Sequence, residues 1–355
     1  MKIKFKIWIC PLILMGMLLL LTSSCKKHED NIVEEDPFKV IAITPLTDII
    51  PYQALGGGKI VFDRINYYWG GSGFYVIDID KKNTYGFKLN SLTHEPNISP
   101  DGTKIACSLF SADWKSTWNI YIMNIDGSEC FPVFKSNYWE SYPTWTPDGS
   151  KIIFYNQGNE GPLYMQSPAE NSTDRVEMTK FYYGDDPEWI IIPSGGFSIS
   201  PAGKLICVSS SLKLMGILSI DPYKGKAGVS TILTRSANQW FESPVFSPDG
   251  SIIAFLSIET DPVNGWVAVS VKSINPDGSN LTQLASVKTY KSPTPYTSLH
   301  RFVSLCWSPD GTKILFTAPT EEKGCHLFVI NSDGTGLTQV TDNVYAYDSE
   351  ISWSR

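Results

Sequence analysis

Cys306-Trp307-Ser308-Pro309-Asp310-Gly311-Thr312-Lys313-Ile314-Leu315-Phe316 reads as a strand, a tight turn and a second strand. Pro309 presets φ for the first central position of the turn. Asp310 bonds its own backbone there, and Gly311 accepts the positive φ that follows. The flanking aromatic and aliphatic residues are those that strands prefer. One copy predicts a hairpin; several predict an architecture.

The turn recurs as Ser99-Pro100-Asp101-Gly102, Thr146-Pro147-Asp148-Gly149, Ser200-Pro201-Ala202-Gly203 and Ser247-Pro248-Asp249-Gly250. Each copy precedes a short apolar run: Lys104–Cys107, Lys151–Phe154, Lys204–Cys207 and Ile252–Phe255. A sixth run, Lys59–Phe62, follows Gly56-Gly57-Gly58 instead. Successive prolines from Pro100 are 47, 54, 47 and 61 residues apart, a repeat of supersecondary size with variable loops. Each unit adds an alternating strand (Phe74–Ile79, Asn119–Asn124, Leu163–Gln166, Gly216–Ile220, Val267–Ile274, His326–Asn331) and a shorter outer one such as Leu337–Val340. Four short strands per unit, repeated radially, predict an all-β, six-bladed β-propeller. Ile351-Ser352-Trp353-Ser354 matches the strand before the turn, and the first unit lacks that strand. The C-terminal strand is therefore expected to complete blade one and remove an open edge.

The Trp-Ser-Pro-Asp-Gly-x-Lys-Ile-x-Phe repeat resembles the WD40-like (PD40) repeats of the TolB-type propeller family, over residues 57 to 355. The resemblance implies the propeller fold and protein partners in the cell envelope, such as a peptidoglycan-associated lipoprotein or a membrane complex. Fold alone does not fix function.

Ahead of the propeller, residues 1–24 read as a signal peptide: Lys2, Lys4 and Lys6, then an apolar core from Ile7 to Leu21, too short for the ~20 residues of a membrane span. Thr22-Ser23-Ser24-Cys25 resembles a lipobox with Thr in place of the usual Leu, and makes Cys25 the lipid attachment site. Residues 25–56 form the tether and lead-in: an acidic stretch to Asp36, then one strand-like run, Lys39–Thr44. The acidic stretch reads equally as a surface-export signal or a solvated linker. The expected location is the cell envelope, lipid-anchored at the outer membrane on its periplasmic or surface face.

The formal charge is −7, and loss of the three leader lysines makes it −10. An acidic chain has no basic footprint for nucleic acid, so none is expected as a partner. Five cysteines lie beyond Cys25, an odd number without paired spacing, which argues against a disulfide framework. Cys107 and Cys207 stand in the slot filled elsewhere by Phe62, Phe154, Phe255 and Phe316, and so read as core.

Between units a second pattern recurs: Trp139-Glu140-Ser141, Phe241-Glu242-Ser243 (after Trp240) and Tyr347-Asp348-Ser349. His94-Glu95 and His300-Arg301-Phe302 occupy related positions. In a propeller such connections converge at one end of the central channel. Two readings stay open. The aromatics and acids form a ligand-binding ring, stacking on a sugar or gripping a partner segment; or they cap turns and fill gaps between blades. The loop Phe181–Gly196 is the longest break in the pattern and is another candidate surface.

Catalytic signatures are missing. Gly70-Gly71-Ser72-Gly73-Phe74 fails as a nucleophile elbow at its last position, and no His-Glu-x-x-His occurs. Some TolB-like propellers are pectin lyases that hold a metal with clustered histidines. Here His94, His300 and His326 lie on different blades without a His-x-His pair. No catalytic residue, cofactor or metal is expected. The sequence thus points to a non-catalytic, protein-binding envelope lipoprotein; the alternative is a carbohydrate-binding or lyase-like surface lipoprotein using an acid pair among Glu95, Glu140, Glu242 and Asp348.

Overall fold

The computed structural model describes residues 40–43, 46–66, 71–89, 91–111, 117–156, 163–179, 193–209, 216–220, 229–234, 239–261, 266–290, 303–320, 324–343 and 346–355. Cys25, the acidic tether, most of the loop from Phe181 and the segment His300-Arg301-Phe302 lie outside these residues.

The regular structure of the described residues is almost entirely strand. In order it runs β1 (Val40–Ile43), a one-turn helix α1 (Tyr52–Leu55), β2 (Lys59–Asn66), β3 (Gly71–Asp78) and β4 (Asn83–Leu89). Next come β5 (Thr93–Ile98), β6 (Lys104–Ser111), β7 (Thr117–Asn124) and β8 (Phe131–Pro132), then β9 (Glu140–Trp145), β10 (Ile152–Asn156), β11 (Leu163–Gln166) and β12 (Val176–Thr179). They are followed by β13 (Pro193–Ile199), β14 (Leu205–Ser209), β15 (Gly216–Ile220) and β16 (Val229–Thr234), and by β17 (Gln239–Phe246), β18 (Ile253–Asp261), β19 (Trp266–Ile274) and β20 (Thr282–Tyr290). The last are β21 (Leu305–Trp307), β22 (Lys313–Thr320), β23 (Gly324–Asn331), β24 (Thr338–Gln339) and β25 (Ala346–Ser354).

Four sheets are sequential antiparallel quartets: β5–β8, β9–β12, β13–β16 and β17–β20. The other nine strands form one sheet, β1-β4-β3-β2-β25-β23-β22-β21 with β24 on β23. A single parallel bridge, Cys325 to Tyr347, joins its two parts. Six separate blades were expected; five sheets are observed, and none closes on itself among the described residues. β25 does pair with β2, Lys59 opposite Ser354 and Asn66 opposite Ala346, as the C-terminal repeat copy predicts. β1 adds to the outer edge of β4.

The repeated turn explains itself chemically. In the copy at Ser308 the Gly311 amide donates to the Ser308 carbonyl at 2.9 Å. Asp310 accepts from the Ser308 hydroxyl (2.6 Å), the Thr312 amide (3.0 Å) and the Thr312 hydroxyl (2.9 Å). Gly311 has φ 71°. A Cβ there would lie in ordinary contact with the Pro248 ring of the preceding turn at 3.5 Å, so the turns of neighbouring units abut. Inside the sheets Phe62, Phe154, Phe255 and Phe316 are fully buried, and Cys107 and Cys207 occupy the same slot at 0% and 1% exposure.

Candidate functional site: an acid–histidine cluster beside a strand-lined cavity

β5, β9, β13, β17 and β25 share a distortion. Glu95, Tyr142, Gly196, Ser243 and Glu350 all have positive φ, from 47° to 90°. Each stands four residues before the Ser or Thr that opens the turn, or before Ser354. The ladder register slips at each place. Five β-bulges in one register are a built feature, since a bulge re-aims the side chain it displaces.

At two of these bulges the re-aimed side chain is Glu. Glu350 Oε2 accepts the Glu95 amide at 2.6 Å. Glu95 Oε2 in turn accepts the Tyr142 amide at 2.6 Å and the Ser108 hydroxyl at 2.6 Å. The acids thus tie three successive inner strands together. His94 Nδ1 lies 3.6 Å from Glu350 Oε2 and 3.8 Å from Asp63 Oδ2. Its ring packs against Trp118 with centroids 5.0 Å apart. Asp63, on β2, is fully buried, and neither carboxylate oxygen has a hydrogen-bond partner.

Two of the carboxylates around this imidazole, Asp63 and Glu95, hold protons tightly. Burial pushes the Asp63 carboxyl well above the usual range, and the neighbouring Glu350 charge adds to this; the charge of His94 opposes it. Burial, then the Glu350 charge, pushes Glu95 up to about 7. For His94 burial acts downward, but hydrogen bonding and charge from Glu350, with the Asp63 and Glu95 charges, outweigh it and raise the imidazole to about 9.

The other candidate acids are differently placed. Glu140 is fully buried; it accepts from Arg175 Nη1 (3.1 Å), Asn156 Nδ2 (3.3 Å) and the Ile120 amide (3.4 Å). Asp348 is fully buried; it accepts from Arg64 Nε (2.5 Å) and Nη2 (2.9 Å) and from the Thr341 hydroxyl (2.5 Å). Both arginines lie on the same aromatic pair of their sheets. Arg64 is 5.4 Å from the rings of Phe62 and Tyr75; Arg175 is 5.0 Å from Phe154 and 3.9 Å from Tyr164. Glu242 is buried one register position later than these two, five residues before its turn rather than six, so the three aromatic–acid–Ser triplets are not superposable. Phe241 is buried edge-on to Phe255 at 5.2 Å, and Trp240 packs on the adjoining apolar cluster. Tyr347 is half-buried, while Trp139 is 50% exposed. His300 falls outside the described residues.

The structure therefore brings together His94 and Glu95, and adds Asp63 and Glu350. Both additions had a sequence signal. Glu350 stands in the same register as Glu95, four residues from the turn. Asp63 follows the Phe62 slot as Ser108 follows the Cys107 slot.

Two residues further along the inner strands opens a cavity of about 550 Å³. Asn97, Thr144, Ser198, Val245, Cys306 and Ser352 line it, one from each of β5, β9, β13, β17, β21 and β25. The prolines of the repeated turn rim it. None of the described residues picked out between the units lines it. The turn, which reads as pure scaffold, frames the cavity.

Comparison with known proteins agrees with this architecture. TolB of Francisella tularensis, a Tol-Pal system protein, is 25% identical over 234 residues, 65% of this chain and 49% of that protein. The chain thus spans about half the length of the curated relatives it matches. Among solved structures, TolB from Acinetobacter baumannii superposes with a TM-score of 0.61 at 16% identity, covering 84% of this chain and 66% of that one. A structure assigned as TolB from Agrobacterium tumefaciens gives 0.50 at 14% identity, covering 83% and 98%. The family model of the TolB β-propeller domain (PD40) matches residues 56–299, and the chain belongs to that family.

Proposed function

We propose that the six four-stranded units close into one ring, with β25 as the inner strand of the first, and that the ring is a non-catalytic binding module for an envelope protein. The cavity carries this reading: six strands, one from each of the units proposed, contribute to a single wall. Hydrogen bonds across β25 support closure. The Ile351 amide donates to Ser304 Oγ on one side, and Ser352 Oγ accepts the Ile98 amide on the other, each at 3.0 Å. The relatives' assignment to a Tol-Pal system favours a protein partner. Placement at the outer membrane by a lipid on Cys25 rests on the leader and its Ser-Ser-Cys ending. The partition of residues 1–24, 25–56 and 57–355 into leader, tether and ring belongs to the same proposal. The carbohydrate alternative needs an acid pair among Glu95, Glu140, Glu242 and Asp348, and two of these four are held by arginines.

The test is a photo-crosslinking residue at Thr144, in the cavity wall, in cells expressing the full chain. One envelope protein should be captured there and not from Glu177, outside the wall. Equal capture at both positions, or none, overturns the binding reading. A Cys25→Ala chain that still acquires a lipid overturns the anchor.

A further inference from the structure

Beyond any partner, and independent of it, we propose that Asp63, His94 and Glu350 form a divalent-cation site. Three observations carry it. One ligand atom from each residue lies within 4.8 Å of the others. With the 3.6 and 3.8 Å separations around His94 Nδ1, an ion between them lies about 2.0–2.4 Å from all three, the range of metal–oxygen and metal–nitrogen bonds. Asp63 is the second, independent sign. A fully buried carboxylate with both oxygens unpartnered is costly, and it faces the imidazole rather than a guanidinium. The third is the surrounding support. The Glu95 amide fixes Glu350, and Trp118 fixes the His94 ring, as outer groups do around metal ligands. Glu350 Oε2 has a second lone pair for an ion while it accepts that amide.

The donor set selects the ion. One imidazole with two carboxylates suits Zn²⁺ or Mn²⁺, whereas Mg²⁺ prefers oxygen alone at shorter range. The 42% exposure of the His94 side chain leaves an entry path and room for water to complete the shell. A dication balances the two ligand carboxylates, Asp63 and Glu350, which one imidazole does not.

The experiment is calorimetric titration of chelator-treated full-length chain, purified in detergent, with Zn²⁺ and separately Mn²⁺. One saturable site per chain is expected for at least one ion. D63N, H94Q and E350Q should each weaken it about tenfold or more, and E177Q should leave it unchanged. H94Q removes a partly exposed ring, so it keeps the fold; thermal melts verify this for all variants. With Mn²⁺, nitrogen coupling in the electron spin-echo spectrum should vanish in H94Q. Absence of saturable binding by either ion, or binding retained in H94Q/E350Q, overturns the site.

Discussion

Asp348 and Glu350 are two residues apart on β25, and Arg64 and Asp63 are adjacent on β2, yet the two pairs of neighbours solve opposite problems. Asp348 meets a guanidinium that is itself pinned over Phe62 and Tyr75 and shared with Asp48. Glu140 repeats this with Arg175 over Phe154 and Tyr164, although Arg175 comes from the outer part of its sheet and Arg64 from the second strand. Asp63 and Glu350 meet an imidazole and another acid. The first arrangement gives each acid a guanidinium, although Arg64 serves two carboxylates, and further hydrogen bonds. The second is short of positive charge. These acids therefore divide by partner into those paired with a guanidinium and those gathered around the imidazole.

The largest test of this division is Arg64→Met. It leaves Asp348 and Asp48 buried without their cation, and should cost about 3–5 kcal/mol in chemical denaturation. Arg175→Met should cost less, about 2–3 kcal/mol, because Glu140 keeps the Ile120 amide and Asn156. A neutral result for Arg64→Met would remove the claim that Asp348 is a structural acid. A larger loss for Arg175 than for Arg64 would invert the ranking.

What the sequence disclosed follows the range of the interactions. The repeated turn is local chemistry, so its four Pro-Asp-Gly copies, the Pro-Ala-Gly variant and their strands could be read directly, and the copy ending at Ser354 located the partner of β2. The bulges are not legible in the same way. Positive φ at Glu95, Tyr142, Ser243 and Glu350 has no glycine to announce it, although Pro96, Pro143 and Pro244 follow three of the four. Asp348 and Arg64 meet across 284 positions, and no local pattern separates an acid with that partner from Glu350. Reading aromatic–acid–Ser as one motif also mixed registers, since Glu242 is displaced by one from Glu140 and Asp348.

The metal-free cluster should show itself in pH dependence. Glu95 titrates at about 7 in the folded chain, above the ordinary carboxylate range, so the native state holds an extra proton between about 4.5 and 7 and stability falls as pH rises through that window. His94, raised to about 9, contributes stability that is complete below about 6.5 and lost as pH rises through 9. The two act in the same direction. The melting temperature should decline from pH 5 to pH 9, by the equivalent of about 1–2 kcal/mol once solvent screening of the exposed imidazole edge is allowed for. E95Q should flatten the lower half of the decline and H94Q the upper half. A flat profile in the parent chain would mean that the cluster is already neutralised by a bound ion or by rearrangement.

The smallest expected effect concerns a third way of satisfying an acid, with amides and hydroxyls alone. Asp310→Ala removes acceptors from the Ser308 hydroxyl and the Thr312 amide and hydroxyl, and should cost about 1 kcal/mol. The turn at Ser200 shows when that acid is dispensable. It has Ala202 in place of Asp, and it is one residue shorter: the Ser200 amide bonds the Lys204 carbonyl, where Ser308 reaches to Lys313. There Ser200 Oγ alone accepts the Lys204 amide at 3.0 Å. Asp at this position thus serves the extra residue after Gly. Deleting Thr312 from the Asp310→Ala chain recreates the Ser-Pro-Ala-Gly-Lys turn and should recover part of the lost stability. If the deletion costs more again, the acid supports the whole hairpin rather than the one added residue.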